Sequence, residues 1–171
     1  MENIIIYDFF LNECELKTLH NKIKNKEYYY GHNSGDEEAF AINFFATHNI
    51  DDFFNIYMLK KINEVSKRYF KINRHYMHIQ TFGQDGSFHI DNDEPNRFTF
   101  CLYITNLQDE DVEKYEGNFL IKIPNDNKIL SIEPINNRGI IFPSNYIHKG
   151  MAYNILCDKP RLCITWKLEL I

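Results

Sequence analysis

His89-Ile90-Asp91 and, far along the chain, His148 are the residues whose types and spacing could do chemistry. Two imidazole nitrogens and one carboxylate can cap one face of an octahedral Fe(II) ion and leave the opposite positions for a cosubstrate and O₂. In an extended segment His89 and Asp91 stand two positions apart, so both side chains point to one face while Ile90 turns away. Gly83 and Gly86 precede the pair and Asn92-Asp93-Glu94-Pro95-Asn96 follows it, which places it beside loops at the open end of a sheet. Alone, His-x-Asp is common by chance, and satisfied surface or core polar residues are then its ordinary reading. The segment Gly139-Ile-Ile-Phe-Pro-Ser-Asn-Tyr-Ile-His148-Lys-Gly150 sets a histidine in an apolar surrounding, either as a hydrogen-bonded core residue or, more economically, as the third ligand. With three ligands of this kind the protein would be an oxygenase.

An acidic cosubstrate needs a cation, and Arg161 opens the last apolar run of the chain. Its planar guanidinium can clamp a carboxylate through two charge-assisted bonds, although a salt bridge at the rim is the plainer reading of an isolated arginine. Cys163 and Thr165 share its face by strand alternation, while Leu162, Ile164, Trp166 and Leu168 take the other. Thr99, Cys101 and Tyr103 alternate in the same way with Phe98, Phe100, Leu102 and Ile104. One face of that strand would line a pocket, and Tyr103 or Thr165 could add a hydroxyl to the cosubstrate.

These residues need a scaffold that brings distant segments together. The 171 residues predict one domain spanning 1–171, large enough for a substantial core. The chain is 44% hydrophobic, with 14 Phe and 11 Tyr against 7 Gly and 5 Pro, a globular composition with bulky aromatic packing. A formal charge of −5 offers no general attraction for phosphate backbones and disfavours a nucleic-acid partner, so the lysines at 22, 24, 26, 60, 61 and 67 read as solvated helix faces. No apolar run approaches the length of a membrane span, and the acidic first residues read as a strand and not as a signal peptide. Cys14, Cys101, Cys157 and Cys163 lack paired zinc spacing and suit free thiols in a reducing compartment, hence an expected cytoplasmic location; two disulfides are the alternative.

Ile4 to Tyr7 is β-branched and extended, and Asn12 with Glu15 spells a capping box before an amphipathic helix over 13–25. Residues 27–50 lack sustained periodicity and are expected to be irregular strand and loop, the place for substrate-specific structure. Asp51 or Asp52 would cap a second helix running through residue 69, whose apolar face is Phe54, Tyr57, Met58, Ile62, Val65 and Tyr69. Beyond residue 75 the period becomes two, with strands expected over 76–82, 97–105, 118–123, 129–134, 138–142 and 161–170; the acidic stretch 109–116 reads as a solvent-exposed loop. Two helices followed by a strand-rich half imply a mainly β sandwich or half-open barrel with helices on one outer face. In such an antiparallel double-sheet barrel, residues far apart in sequence can be neighbours across the sheets.

Gln80-Thr-Phe-Gly-Gln-Asp-Gly-Ser-Phe-His-Ile-Asp91, Arg97-Phe-Thr-Phe-Cys-Leu-Tyr-Ile104, Ile141-Phe-Pro-Ser-Asn-Tyr-Ile-His148-Lys-Gly150 and Arg161-Leu-Cys-Ile-Thr-Trp166 together, in this order, resemble the iron(II)- and 2-oxoglutarate-dependent dioxygenases. The likeness is to the prolyl 4-hydroxylase-like branch and covers most of the chain, weakly from Ile5 to Cys14 and strongly from Gln80 to Trp166. It implies a double-stranded β-helix core (jelly-roll, cupin-like) with N-terminal supporting helices. It also implies Fe(II) held by His89, Asp91 and His148, 2-oxoglutarate with its distal carboxylate on Arg161, and O₂ as second cosubstrate. The implied reaction is hydroxylation of an aliphatic C–H bond with release of succinate and CO₂. Ile79, Leu102 or Phe142 would supply apolar lining.

Two positions depart from the family pattern: Phe82 stands where relatives often have a cosubstrate-contacting tyrosine, and Glu116-Gly117-Asn118 where they often have paired glycines. The branch's chemistry implies a peptidyl substrate, plausibly proline. The alternatives are a small-molecule hydroxylase of the same cofactor class and a non-enzymatic metal-binding jelly-roll module.

Overall fold

The computed structural model describes residues 4–32, 44–48 and 51–171. The chain runs β1 (Ile5–Tyr7), α1 (Glu13–Ile23), β2 (Tyr29–His32), β3 (Phe44–Thr47), a π-helical turn (Phe53–Tyr57) leading into α2 (Met58–Ser66), β4 (Phe70–Gln80), β5 (Arg97–Ile104), α3 (Asp109–Tyr115), β6 (Phe119–Lys122), β7 (Ile129–Ile132), β8 (Arg138–Pro143), β9 (His148–Gly150) and β10 (Arg161–Leu170). Part of the 27–50 segment, in which substrate-specific structure is expected, lies outside the described residues.

Local chemistry sets the helix starts. Asn12 Oδ1 accepts from the Glu15 amide at 3.0 Å while Glu15 Oε2 accepts from the Asn12 amide at 2.7 Å, the reciprocal box that the sequence spells. Of the two candidate caps for the second helix it is Asp51 that bonds, its Oδ1 accepting from the Phe53 amide at 3.1 Å. The first turn then widens: the Met58 amide reaches back to Phe53 O. This leaves Phe54 O for the buried indole of Trp166, which donates to it at 3.1 Å.

Three expectations are corrected here. The second helix ends at Ser66 and not at 69, because Lys67 adopts a left-handed conformation (φ 54) and the Asn63 side chain accepts from the Phe70 amide. β4 therefore begins at Phe70, well before 76, and Tyr69 is exposed instead of continuing the helix face. The acidic stretch 109–116 contains a short helix, α3, which Val112 anchors by packing into a small cluster with Leu107 and Tyr153. β9 had no counterpart among the expected strands.

Strands in the order β1-β8-β5-β10-β4-β3-β2 make one sheet and β7-β6-β9 another, all pairs antiparallel. The alternation along β5 and β10 divides the large sheet into two faces. Phe100, Leu102, Ile164, Trp166 and Leu168 pack under α1 and α2 against Leu19, Phe54, Met58 and Ile62. Each such fully buried aliphatic or phenyl side chain contributes roughly 1.5–3 kcal/mol. Cys101, Tyr103, Ile140, Phe142 and Cys163 face the small sheet, where Phe119, Ile121 and Ile132 meet them. Among the described residues no helix is long and apolar enough to cross a membrane, and all four cysteines are free thiols.

Candidate metal centre

The segment carrying His89 pairs with β9 through a single antiparallel bridge. The His89 amide donates to His148 O at 3.0 Å and the His148 amide to His89 O at 2.9 Å, so the two residues are direct cross-strand neighbours with side chains on one face. Their rings lie 4.4 Å apart, centre to centre. Asp91 is fixed two residues on by its amide, which donates to Ser144 O at 2.8 Å. This pairing, invisible in the sequence, brings the distant histidine to the pair.

The ring tautomers follow from the next layer. His89 Nδ1 lies 2.8 Å from Ser87 O and His148 Nδ1 lies 2.8 Å from Tyr146 O. A carbonyl can only accept, so each Nδ1 carries the proton and each Nε2 presents a lone pair. Those lone pairs face one carboxylate: His89 Nε2 is 3.4 Å from Asp91 Oδ1 and His148 Nε2 is 3.5 Å from Asp91 Oδ2. The three donors lie within 4.8 Å of one another, and neighbouring donors on an octahedral ion with bonds near 2.1 Å stand about 3 Å apart. The residues fit a divalent ion of the first transition row, with backbone carbonyls setting the ring orientation as such sites require.

Asp91 is nearly enclosed, and Thr99 Oγ1 donates to its Oδ2 at 2.5 Å. Burial opposes its ionisation, yet the Lys167 ammonium, which makes an ion pair with Oδ2, outweighs burial and holds the carboxyl well below its usual range. Burial pushes His148 down to about 4, and the Phe119 and Phe142 rings close over it at 5.4 and 4.7 Å. A ligand kept neutral in this way has its lone pair available throughout the physiological range.

The same depression sets the acid limit of the metal-free fold. Burial also lowers His32 to about 4 and carries His78 well below its ordinary value. Above the unfolded-state pKa near 6.5 these rings are neutral in both states and cost nothing. As pH falls from about 6.5 towards 4 the unfolded chain takes up protons that the folded chain refuses, so stability drops by up to about 1.4 kcal/mol per pH unit for each fully shifted group. Urea unfolding of chelator-treated protein at pH 8, 6.5 and 5 should show a small loss to 6.5 and a much larger one to 5; equal midpoints at all three would overturn the assignment of neutral buried rings.

Arg161 lies in the same pocket and is buried. Its Nε donates to Gly117 O at 2.7 Å, its Nη1 to Gln80 Oε1 at 2.7 Å, and its guanidinium carbon sits 4.8 Å from the centre of the Tyr103 ring. Gln80 is itself held, since its amide donates to Gln84 O at 2.7 Å and lies 3.3 Å from Gly150 O. Thr165 lines the pocket with the Cys101 and Cys163 sulfurs 3.8 and 3.7 Å from its hydroxyl. The alternation read along β5 and β10 thus places Thr99, Cys101, Tyr103, Arg161, Cys163 and Thr165 on the pocket side.

Other expectations fail by the same rule of two. Leu102 lies on the opposite face of the sheet in the helix-covered core, and Ile79 also faces away from the pocket, so neither lines it; Phe119 supplies the apolar wall, and Phe142 packs on the His148 ring without lining the pocket. Phe82 follows the end of β4 and is 59% exposed, outside this pocket. The Glu116 departure is visible as backbone strain: Glu116 holds φ 61 and ψ −128, a region suited to glycine, and Gly117 follows at φ 81. A β-carbon at Gly117 would stand 2.5 Å from the Tyr153 ring, and the carbonyl of this residue is the one that anchors Arg161. Tyr76, His78, Gln80 and Lys167 were missed in the sequence, although Lys167 continues the 161-163-165 alternation by one step.

No protein-family model and no curated protein matches the sequence. Solved structures do match the fold. An oxidoreductase of the 2OG-Fe(II) oxygenase family from Burkholderia pseudomallei superposes with a TM-score of 0.74 at 9% identity, over 98% of this chain and 85% of that one. A prolyl-4-hydroxylase from Pseudomonas putida gives 0.66 at 14% identity, over 98% and 92%. The non-heme alpha-ketoglutarate-dependent epimerase SnoN of nogalamycin biosynthesis gives 0.68 at 9% identity, over 98% and 78%. The helix-backed double-sheet architecture of this chain is the double-stranded β-helix, or jelly-roll, fold of the 2OG-Fe(II) oxygenases.

Proposed function

We propose that this chain is a single catalytic domain, an Fe(II)- and 2-oxoglutarate-dependent dioxygenase that hydroxylates an aliphatic C–H bond. The observation that carries the reading is one pocket holding two imidazole Nε2 atoms turned on a buried carboxylate together with a buried arginine. His89, Asp91 and His148 would hold the iron and Arg161 the distal carboxylate of 2-oxoglutarate, with Tyr103 and Thr165 lining the cosubstrate's place. Bound iron would supply the O₂-activating centre, with oxidative decarboxylation of 2-oxoglutarate to succinate and CO₂ furnishing one electron pair and the substrate C–H bond the other. The chain's own contribution is to orient both ligands, keep His148 neutral and cover its ring with Phe119 and Phe142. Four free thiols fit a reducing, cytoplasmic setting.

The substrate class we favour is a peptidyl residue such as proline, in line with the motif resemblance and with the likeness to the Pseudomonas putida enzyme. A small-molecule substrate is the second reading, because the same fold carries the epimerase of nogalamycin biosynthesis. Anaerobic addition of Fe(II) and 2-oxoglutarate together is expected to give a weak visible charge-transfer band. Succinate release with peptide and metabolite panels, and a product heavier by one oxygen, would then name the substrate. Metal-replete protein that binds no 2-oxoglutarate would leave only the non-enzymatic metal-binding module.

A further inference from the structure

Lys167 stands where a divalent ion would have to compete with it. Its ammonium pairs with Asp91 Oδ2, the oxygen that also faces His148 Nε2, and it lies 5.9 Å from the Tyr76 ring centre in the pocket shared with Arg161. The side chain is only 16% exposed, so it has little water to retreat into. The register slips between Lys167 and Leu168 opposite β4, a bulge of the kind that re-aims a side chain near a functional site.

The fixed charges here are two cations, Arg161 and Lys167, against the one carboxylate of Asp91. A divalent ion added alone raises the positive excess with nothing to offset it, and like charges in a poorly hydrated site repel strongly. A dicarboxylate added with the ion offsets the two charges that the ion brings. Resting on the metal-site reading above, we propose that Lys167 is a second anion-binding residue of this pocket, one that weakens metal binding in the absence of a dicarboxylate and so makes the two ligands depend on each other. Such a dependence is reciprocal: whatever factor the dicarboxylate gives the metal, the metal returns.

The test is Mn(II) titration of the full chain by the EPR signal of free Mn(II), with and without saturating 2-oxoglutarate. Lys167→Met keeps the stem and removes the charge; it should bind Mn(II) alone about tenfold or more tightly than the unaltered protein, and 2-oxoglutarate should enhance that binding by a smaller factor. Lys167→Arg keeps the charge and should behave as the unaltered protein, and circular dichroism melts of both variants verify folding. Equal or weaker Mn(II) affinity in a folded Lys167→Met protein overturns the role of Lys167 and leaves the metal site standing. No Mn(II) binding by any of the three proteins, under either condition, overturns the metal site and this proposal with it. Tighter Mn(II) binding by the methionine variant with no effect of 2-oxoglutarate on any protein overturns the anion half and the oxygenase reading together.

Discussion

Asp91→Ala is expected to lower affinity for Fe(II) or Mn(II) by at least about a hundredfold, since even the outer partners of metal ligands are worth 10–100-fold each. It should also destabilise the metal-free fold. Asp91 accepts the Thr99 hydroxyl and pairs with the Lys167 ammonium, and both partners are buried or nearly so. Removing one member of such a pair leaves an uncompensated charge, which costs about 3–5 kcal/mol in full burial and somewhat less here because Lys167 keeps partial access to water. The double variant Asp91→Ala/Lys167→Met separates the two effects: it should regain most of the lost stability, while its metal affinity stays well below that of the unaltered protein because the carboxylate donor is still missing. Thermal unfolding and metal titration of the two variants measure this. An Asp91→Ala protein that binds Mn(II) normally would remove the carboxylate from the ligand set.

Arg161→Leu should leave metal binding nearly intact and weaken 2-oxoglutarate binding to the Mn(II)-loaded protein by about 2–5 kcal/mol, roughly thirty- to several-thousandfold. The guanidinium is held by Gly117 O, Gln80 Oε1 and the Tyr103 ring, so it is oriented before any ligand arrives. Its loss also orphans the Gly117 carbonyl and the Gln80 amide oxygen, at about 1–3 kcal/mol for each buried group. The melting temperature should therefore fall along with the affinity. Arg161→Lys keeps the charge but not the planar fork and should lie between the two. Calorimetric titration with 2-oxoglutarate decides the matter, and unchanged affinity in the leucine variant would place the anion site elsewhere.

Strand faces and helix limits differ in how far they can be read from the sequence. The faces of β5 and β10 followed from strand alternation, a property of neighbouring residues, and the structure puts Tyr103, Arg161 and Thr165 in the pocket as alternation requires. The same rule assigns Leu102 to the core face, so the expectation of Leu102 as pocket lining contradicts the alternation of its own strand. Helix limits were less legible. Lys67 ends α2 in a left-handed turn that sequences usually announce with glycine or asparagine, and Tyr69 kept the helical spacing with Val65 although the helix had stopped. In α3 a single buried residue, Val112, holds a segment whose charges otherwise read as solvated loop.

By itself the sequence determined the donor types at positions 89, 91 and 148, the capping box at Asn12, and the two faces of each long strand, because all of these depend on residue chemistry and on spacing of a few positions. Only the tertiary structure decided that His89 and His148 exchange backbone hydrogen bonds, that Ser87 and Tyr146 carbonyls set the ring tautomers, and that Lys167 reaches Asp91. The physical reason is register. Which residue of one strand stands opposite which residue of another is fixed by the packing of the whole core and by β9, a strand of three residues too short to leave a periodic signal.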